Sequence, residues 1–137
     1  MATIQRVISP AVTEAPPGLW SNCLLVNGIA YFSGMTARDQ ELKALQDADE
    51  YHQSVVIFGK LKALAEAAGG SIADIVKLTI FVVDISKREL VWCARREFFS
   101  GDFPASSLVQ VAALAEPAIK VEIEGIAHIG AGACSES

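Results

Sequence analysis

No uninterrupted apolar run in this chain approaches the ~20 residues that a membrane-spanning helix needs. The N-terminal stretch Met1-Ala2-Thr3-Ile4-Gln5-Arg6 has no apolar core of a secretory signal. A cytoplasmic location without a membrane partner is the expectation. Cysteine is scarce: Cys23, Cys93 and Cys134 stand far apart, without a C-x-x-C pair, and only His52 and His128 could complete a metal site. The thiols read as small hydrophobes and a loose tail residue, and neither a metal nor another cofactor is expected. Basic residues are few as well. Eleven Lys plus Arg stand against 16 Asp plus Glu, a net charge of −5 with a pI near 4.9. A nucleic-acid partner calls for a basic stripe, so none is expected. Phosphate-cradling glycine loops, H-E-x-x-H and G-x-S-x-G are all absent, which removes the usual support for nucleotide-binding, zinc-protease and hydrolase-elbow readings.

What is present is a globular composition. The 137 residues suit one domain, and 52% of them are apolar, with a mean hydropathy of +0.37. Short apolar blocks alternate with turn residues, which predicts an α+β fold. Residues 4–8 and 20–26 read as strands, and Asn27-Gly28 turns the chain into a third, 29–33. Three prolines make 10–18 a loop, and the polar stretch 35–46 is a second loop able to carry function. Asp47 with Glu50 opens a long helix on which Tyr51, Val55, Phe58, Leu61, Leu64, Ala65 and Ala68 recur at helical spacing until Gly69-Gly70. A strand over 75–83 follows, then a helix capped by Ser86-x-x-Glu89 and ending near 100. Strands over 106–113 and 119–129 complete the order β-β-β-α-β-α-β-β. Residues 1–129 form the single domain, and 130–137 read as a flexible tail.

Side chains alternate across a strand, so each strand assigns residues to two faces. Val76, Leu78, Ile80 and Val82 should lie under the helices, leaving Lys77, Thr79, Phe81 and Val83 opposite. On the last strand Val121, Ile123, Gly125 and Ala127 face inward, leaving Lys120, Glu122, Glu124, Ile126 and His128. The fifth strand exposes either Ser106, Leu108, Gln110 and Ala112 or the alternate set. With Leu108 counted there, the second face mixes charges with Phe81, Ile126 and Leu108. It is too apolar for solvent and too charged for a core, a pattern that fits a face covered by another copy of the protein. Glu122 and Glu124 lie about 7 Å apart on it and could do acid-base work, although solvated strand glutamates are common. Ser33-Gly34 ends a strand where a hydroxyl and a flexible backbone could meet a ligand, or where the chain simply exits.

Three blocks then resemble one family: 26–34 (Val-Asn-Gly-Ile-Ala-Tyr-Phe-Ser-Gly), 67–84 (Ala-Ala-Gly-Gly-Ser-Ile-Ala-Asp-Ile-Val-Lys-Leu-Thr-Ile-Phe-Val-Val-Asp) and the stretch from Phe98-Phe99 through Phe103-Pro104-Ala105-Ser106-Ser107-Leu108 to Val121-Glu122-Ile123-Glu124-Gly125. The chain is similar to the Rid (YjgF) family of reactive-intermediate imine and enamine deaminases. That resemblance implies a chorismate-mutase-like fold and a homotrimer whose sheets form a central barrel, with small-molecule clefts between subunits. By the same resemblance Ser33 is the strand-end serine and Glu122 the water-positioning glutamate. Trp20 falls at a pocket tyrosine and Trp92 at a helix asparagine.

The family's carboxylate-binding arginine falls at Ser106, and its neighbouring cysteine at Leu108. The chain thus resembles a branch without the carboxylate clamp. Serine cannot replace a charge-assisted fork, so affinity for simple amino-acid-derived imines should fall on the order of a hundredfold or more. Arg38, in the loop after Ser33, is the candidate for a displaced cation, while Arg95 and Arg96 read as solvated or paired with acids. The substrate-binding candidates are therefore Ser33, Gly34, Ser106, Leu108, Trp20, Trp92 and Arg38, and the catalytic candidate is Glu122. The expected function is hydrolysis of an imine or enamine other than the simple amino-acid-derived ones. A non-catalytic metabolite-binding trimer is the alternative, and a ribonuclease is disfavoured by the charge.

Overall fold

The computed structural model describes residues 2–132. Strands β1 (Gln5–Arg6), β2 (Cys23–Val26) and β3 (Ile29–Met35) precede helix α1 (Glu50–Ala67). Strand β4 (Ile75–Val82), helix α2 (Arg88–Phe98) and strands β5 (Ala105–Gln110) and β6 (Val121–His128) complete the chain. All six strands form one sheet in the order β1-β2-β3-β6-β4-β5. Only β4 and β5 pair in parallel. Parallel neighbours need a crossover, and α2 is that crossover. Strand β6 returns last in sequence and fills the gap between β3 and β4.

Both helices cover one face. Phe58 of α1 meets Phe98 and Phe99 with ring centroids 5.6 and 5.7 Å apart. Beneath them Leu78, Ile80, Val82, Val121, Ile123, Ala30 and Phe32 are buried, as alternation along each strand requires. Val76 departs from that expectation. Ile75 pairs with Ala127 and Lys77 with Ile126, so one extra residue of β4 sits between them; Ile75 points inward and Val76 is turned out to solvent. Leu108 departs too. It pairs with Ile80 in the parallel ladder, shares its face and packs against the helix-side core, so it does not belong to the second face.

Helix α1 starts later than Asp47, which adopts φ 61°. The cap is Asp49, whose Oδ1 accepts from the His52 N–H at 2.9 Å. At the other end Gly69, with φ 99°, donates to the Glu66 carbonyl and Gly70 to that of Ala65, the double bond that closes a helix through a left-handed glycine. Buried Gln53 lies on the covered face of α1, where apolar spacing alone did not place it. Its amide donates to the Ala48 and Ala118 carbonyls and accepts from the Lys120 N–H. Helix α2 is introduced by a 3-10 turn (Ile85–Lys87) capped by Asp84, so Ser86 is not the capping residue. Residues 130–132, expected to fray, are held instead: Asp74 accepts from the N–H groups of Gly130, Gly132 and Ser71 at 2.8, 2.7 and 3.0 Å. Cys134 and the rest of the tail lie outside the described residues.

Candidate functional site

The first group of candidate residues is assembled where β3 loses its regular pairing. Phe32 pairs with Gly125 and Met35 with Ile123, three steps along β3 against two along β6. This bulge opens Ser33 and Gly34 towards the face not covered by helices. The Ser33 hydroxyl donates to the Ser21 carbonyl at 2.6 Å. Its hydrogen is thus committed, and the oxygen is left to accept from a ligand.

Glu122 lies across from Gly34 and pairs with Phe81 on its other side. A Cβ at position 34 would overlap the Glu122 Oε2 and stand 2.7 Å from its Cδ. Glycine is what admits the carboxylate there. Glu122 is half-buried, and burial first, then the Glu124 charge, raise its pKa above the usual carboxylate value of 4.5. Among the described residues it accepts no hydrogen bond and enters no ion pair. His128, on the same face, stands at the opposite end of β6 beside Ile29.

Beyond Gly34 a cavity of about 230 Å3 is lined by Trp20, Asn22, Met35, Arg38 and Lys60. The structure therefore brings Trp20, Gly34 and Arg38 to one place. Arg38 is already engaged, donating to Glu116 Oε2 at 2.7 Å and to the Leu42 carbonyl at 2.9 Å. It is not the free cation that its loop position suggested. Lys60, which the sequence did not flag, donates to the Thr36 carbonyl at 2.8 Å; burial, then the Arg38 charge, lower its pKa.

The second group sits at the far side of the sheet, on the edge strand β5. Ser106 pairs with Leu78 and, like Leu108, points to the helix face. There its hydroxyl accepts from Arg95 Nη1 at 3.1 Å. Arg95 is half-buried and forms no ion pair among the described residues, contrary to the reading that both α2 arginines are solvated or paired; Arg96 alone approaches an acid, Glu89, at 3.7 Å. Trp92 lies under the Arg88 guanidinium, 5.7 Å from its centroid. Within one chain, then, Glu122, Ser33 and Gly34 open on one face while Ser106 and Leu108 lie on the other, with β4 and β6 between. Cys23 is buried and its thiol is pushed up to about 11, which makes it inert, and Cys93 is exposed. No cluster of three His, Cys, Asp or Glu side chains among the described residues could hold a metal. No helix there is long and apolar enough to cross a membrane.

Residues 12–129 match the family model described as Endoribonuclease L-PSP. The chain belongs to this family, the Rid (YjgF) family. It is 35% identical over 128 residues to a 2-iminobutanoate/2-iminopropanoate deaminase of Dermatophagoides farinae, an alignment that covers 91% of this chain and 97% of that protein. A crystal structure of RidA from an Antarctic Psychrobacter superposes with a TM-score of 0.81 at 33% identity, covering 91% of this chain and 99% of that one. A Pseudomonas aeruginosa protein of unknown function superposes with a TM-score of 0.84 at 38% identity, covering 95% of both chains. The mixed six-stranded sheet with two helices on one face is the Rid family's chorismate-mutase-like architecture.

Proposed function

We propose that this Rid-family chain hydrolyses an imine, or an enamine after its tautomerisation, in clefts between the subunits of a homotrimer. The observation that carries the reading is the Glu122 carboxylate: half-buried, raised in pKa, without a partner among the described residues, and lying where only a glycine leaves it space. A carboxylate in that state is a stronger base than a solvated one. It takes a proton from water as the oxygen attacks the imine carbon and the C=N π pair moves onto nitrogen, then returns that proton to nitrogen, giving a carbinolamine. The same carboxylate next takes the carbinolamine hydroxyl proton and passes it to nitrogen as the C=O bond forms and the C–N bond breaks, so that a carbonyl compound and ammonia leave. Ser33 Oγ, with its hydrogen given to Ser21, offers an acceptor for the substrate N–H.

The open face supports the assembly. Tyr31, Val76 and Val109 are 47%, 42% and 44% exposed there, beside half-buried Phe81 and Ile126. That is apolar surface which a second copy would cover. A neighbouring subunit would also close the gap between the two groups of candidate residues, which a single chain keeps on opposite faces. The net charge of −5 gives no support to an RNA substrate.

The test is ammonia release from imines generated in place, wild type against Glu122→Gln. The variant keeps the shape and loses the base, so the rate should fall about 10²–10⁴-fold, with the mass in solution unchanged. An equal rate in the variant overturns the role of Glu122. Binding of imines or their carbonyl products without any turnover by the wild type would instead establish a metabolite-binding protein.

A further inference from the structure

Three of the five arginines are tied to acids: Arg6 to Glu14, Arg38 to Glu116 and Arg96 to Glu89. Arg88 is exposed, lies over Trp92 and donates to the Ile85 carbonyl. Arg95 is the exception. It is half-buried, and among the described residues its enclosed Nε has no partner and the guanidinium's only hydrogen bond runs from Nη1 to Ser106 Oγ. Its guanidinium carbon sits 6.0 Å from the centroid of Phe103, which covers one side. A guanidinium partly withdrawn from water with no counter-ion is costly, and native structures keep such a group where an anion completes it.

We infer that Arg95, Ser106 and Phe103 form a binding site for a monocarboxylate, supplied from helix α2 rather than from strand β5. The donors are arranged for one. Ser106 accepts from Arg95, so its own O–H remains free to donate, and it is solvent-exposed on the edge strand. Nη2 donates to no described residue and is not enclosed. A carboxylate oxygen on each gives one charge-assisted and one hydroxyl hydrogen bond side by side. A more highly charged anion fits less well. Arg95 is in the last turn of α2, where the negative end of the helix dipole holds the cation but opposes a dianion. The inference rests on the hydrolase reading for its meaning: the imine would carry a carboxylate held at Arg95 while Glu122 of an adjoining copy serves the C=N carbon. It revises the expectation that serine at 106 removes carboxylate recognition, because the cation sits one side chain further out.

The experiment is calorimetric titration of the assembled protein with pyruvate, methyl pyruvate and inorganic phosphate, in wild type, Arg95→Gln, Arg95→Lys and Ser106→Ala. Pyruvate should bind the wild type at least tenfold more tightly than methyl pyruvate or phosphate. Arg95→Gln should lose tenfold or more, with Arg95→Lys and Ser106→Ala intermediate; if the glutamine variant does not fold, these two decide. Absence of pyruvate binding by the wild type, unchanged affinity in the Arg95 and Ser106 variants, or a preference for phosphate overturns the inference. If the affinities behave as stated but Glu122→Gln releases ammonia at the wild-type rate, the carboxylate site stands and the role of Glu122 falls.

Discussion

Gly34→Ala tests the proposed base, Glu122, without touching it chemically. Position 34 does not use the left-handed φ region, so alanine meets no backbone penalty. Its Cβ would stand 2.7 Å from Glu122 Cδ and 2.9 Å from Cγ. Ordinary carbon contacts begin near ~3.5 Å, so the carboxylate has to move by about 1 Å. A displacement of about 1 Å at a reacting group costs roughly a hundredfold in rate. Stability should change by less than about 1 kcal/mol, because the displaced group is the far end of a half-buried side chain with room towards the open face, and losing a glycine restricts the unfolded chain. The assay is steady-state ammonia release beside a thermal melt. Expected are a kcat lower by about two orders of magnitude, a Tm within a few degrees of wild type, and a double variant with Glu122→Gln no slower than Glu122→Gln alone, since both changes remove one function. A kcat within a factor of about three of wild type would show that Glu122 need not occupy the place Gly34 leaves for it, and the positioned-base argument would fail.

The pH dependence of the wild-type rate should have an acid limb above 4.5, the ordinary glutamate value, because burial and Glu124 raise the Glu122 pKa; Glu122→Gln should lack that limb, and a limb at or below 4.5 argues against the assignment. Asp74→Ala strips three backbone donors of their acceptor and should destabilise the fold by about 3 kcal/mol, read by denaturant unfolding; a loss under about 1 kcal/mol would mean water replaces the carboxylate. Burial pushes the Asp74 pKa up, but the Gly130, Gly132 and Ser71 N–H donors outweigh it and hold it below 3.8. Its stabilisation is therefore present above pH 3.8 and is lost as pH falls through the lowered value, a loss that Asp74→Asn should not show. Light scattering at micromolar concentration should return the mass of three chains, and a monomer would remove the closed cleft on which the hydrolase reading depends.

Alternation along β4 and β6 was legible because burial has period two: Leu78, Ile80 and Val82, then Val121, Ile123 and Ala127, follow from spacing alone. It failed at Val76, where a bulge adds a residue, and the register of a bulge depends on the partner strand. Helix starts failed for a related reason. The spacing from Asp47 to Glu50 predicts a start at Asp47, but the left-handed backbone there takes it out of the capping role, which falls to Asp49. Glu122 was singled out by the resemblance, but the reason Gly34 accompanies it could not be read, since that is a distance between β3 and β6. Arg95 was the least legible. In sequence it is half of an Arg-Arg pair on a polar helix, and only the parallel register that sets Ser106 beside Leu78 reveals which of the two arginines faces β5. Once that register is known, the small side chain at 106 gains a second meaning. A long cation there would crowd and repel the guanidinium arriving from α2, whereas a serine hydroxyl accepts one of its hydrogens. Ser106 and Arg95 are thus best treated as a coupled pair: serine without the α2 arginine leaves the edge strand uncharged, and the α2 arginine without serine loses the hydroxyl that anchors Nη1 and leaves the rest of the fork to an incoming carboxylate.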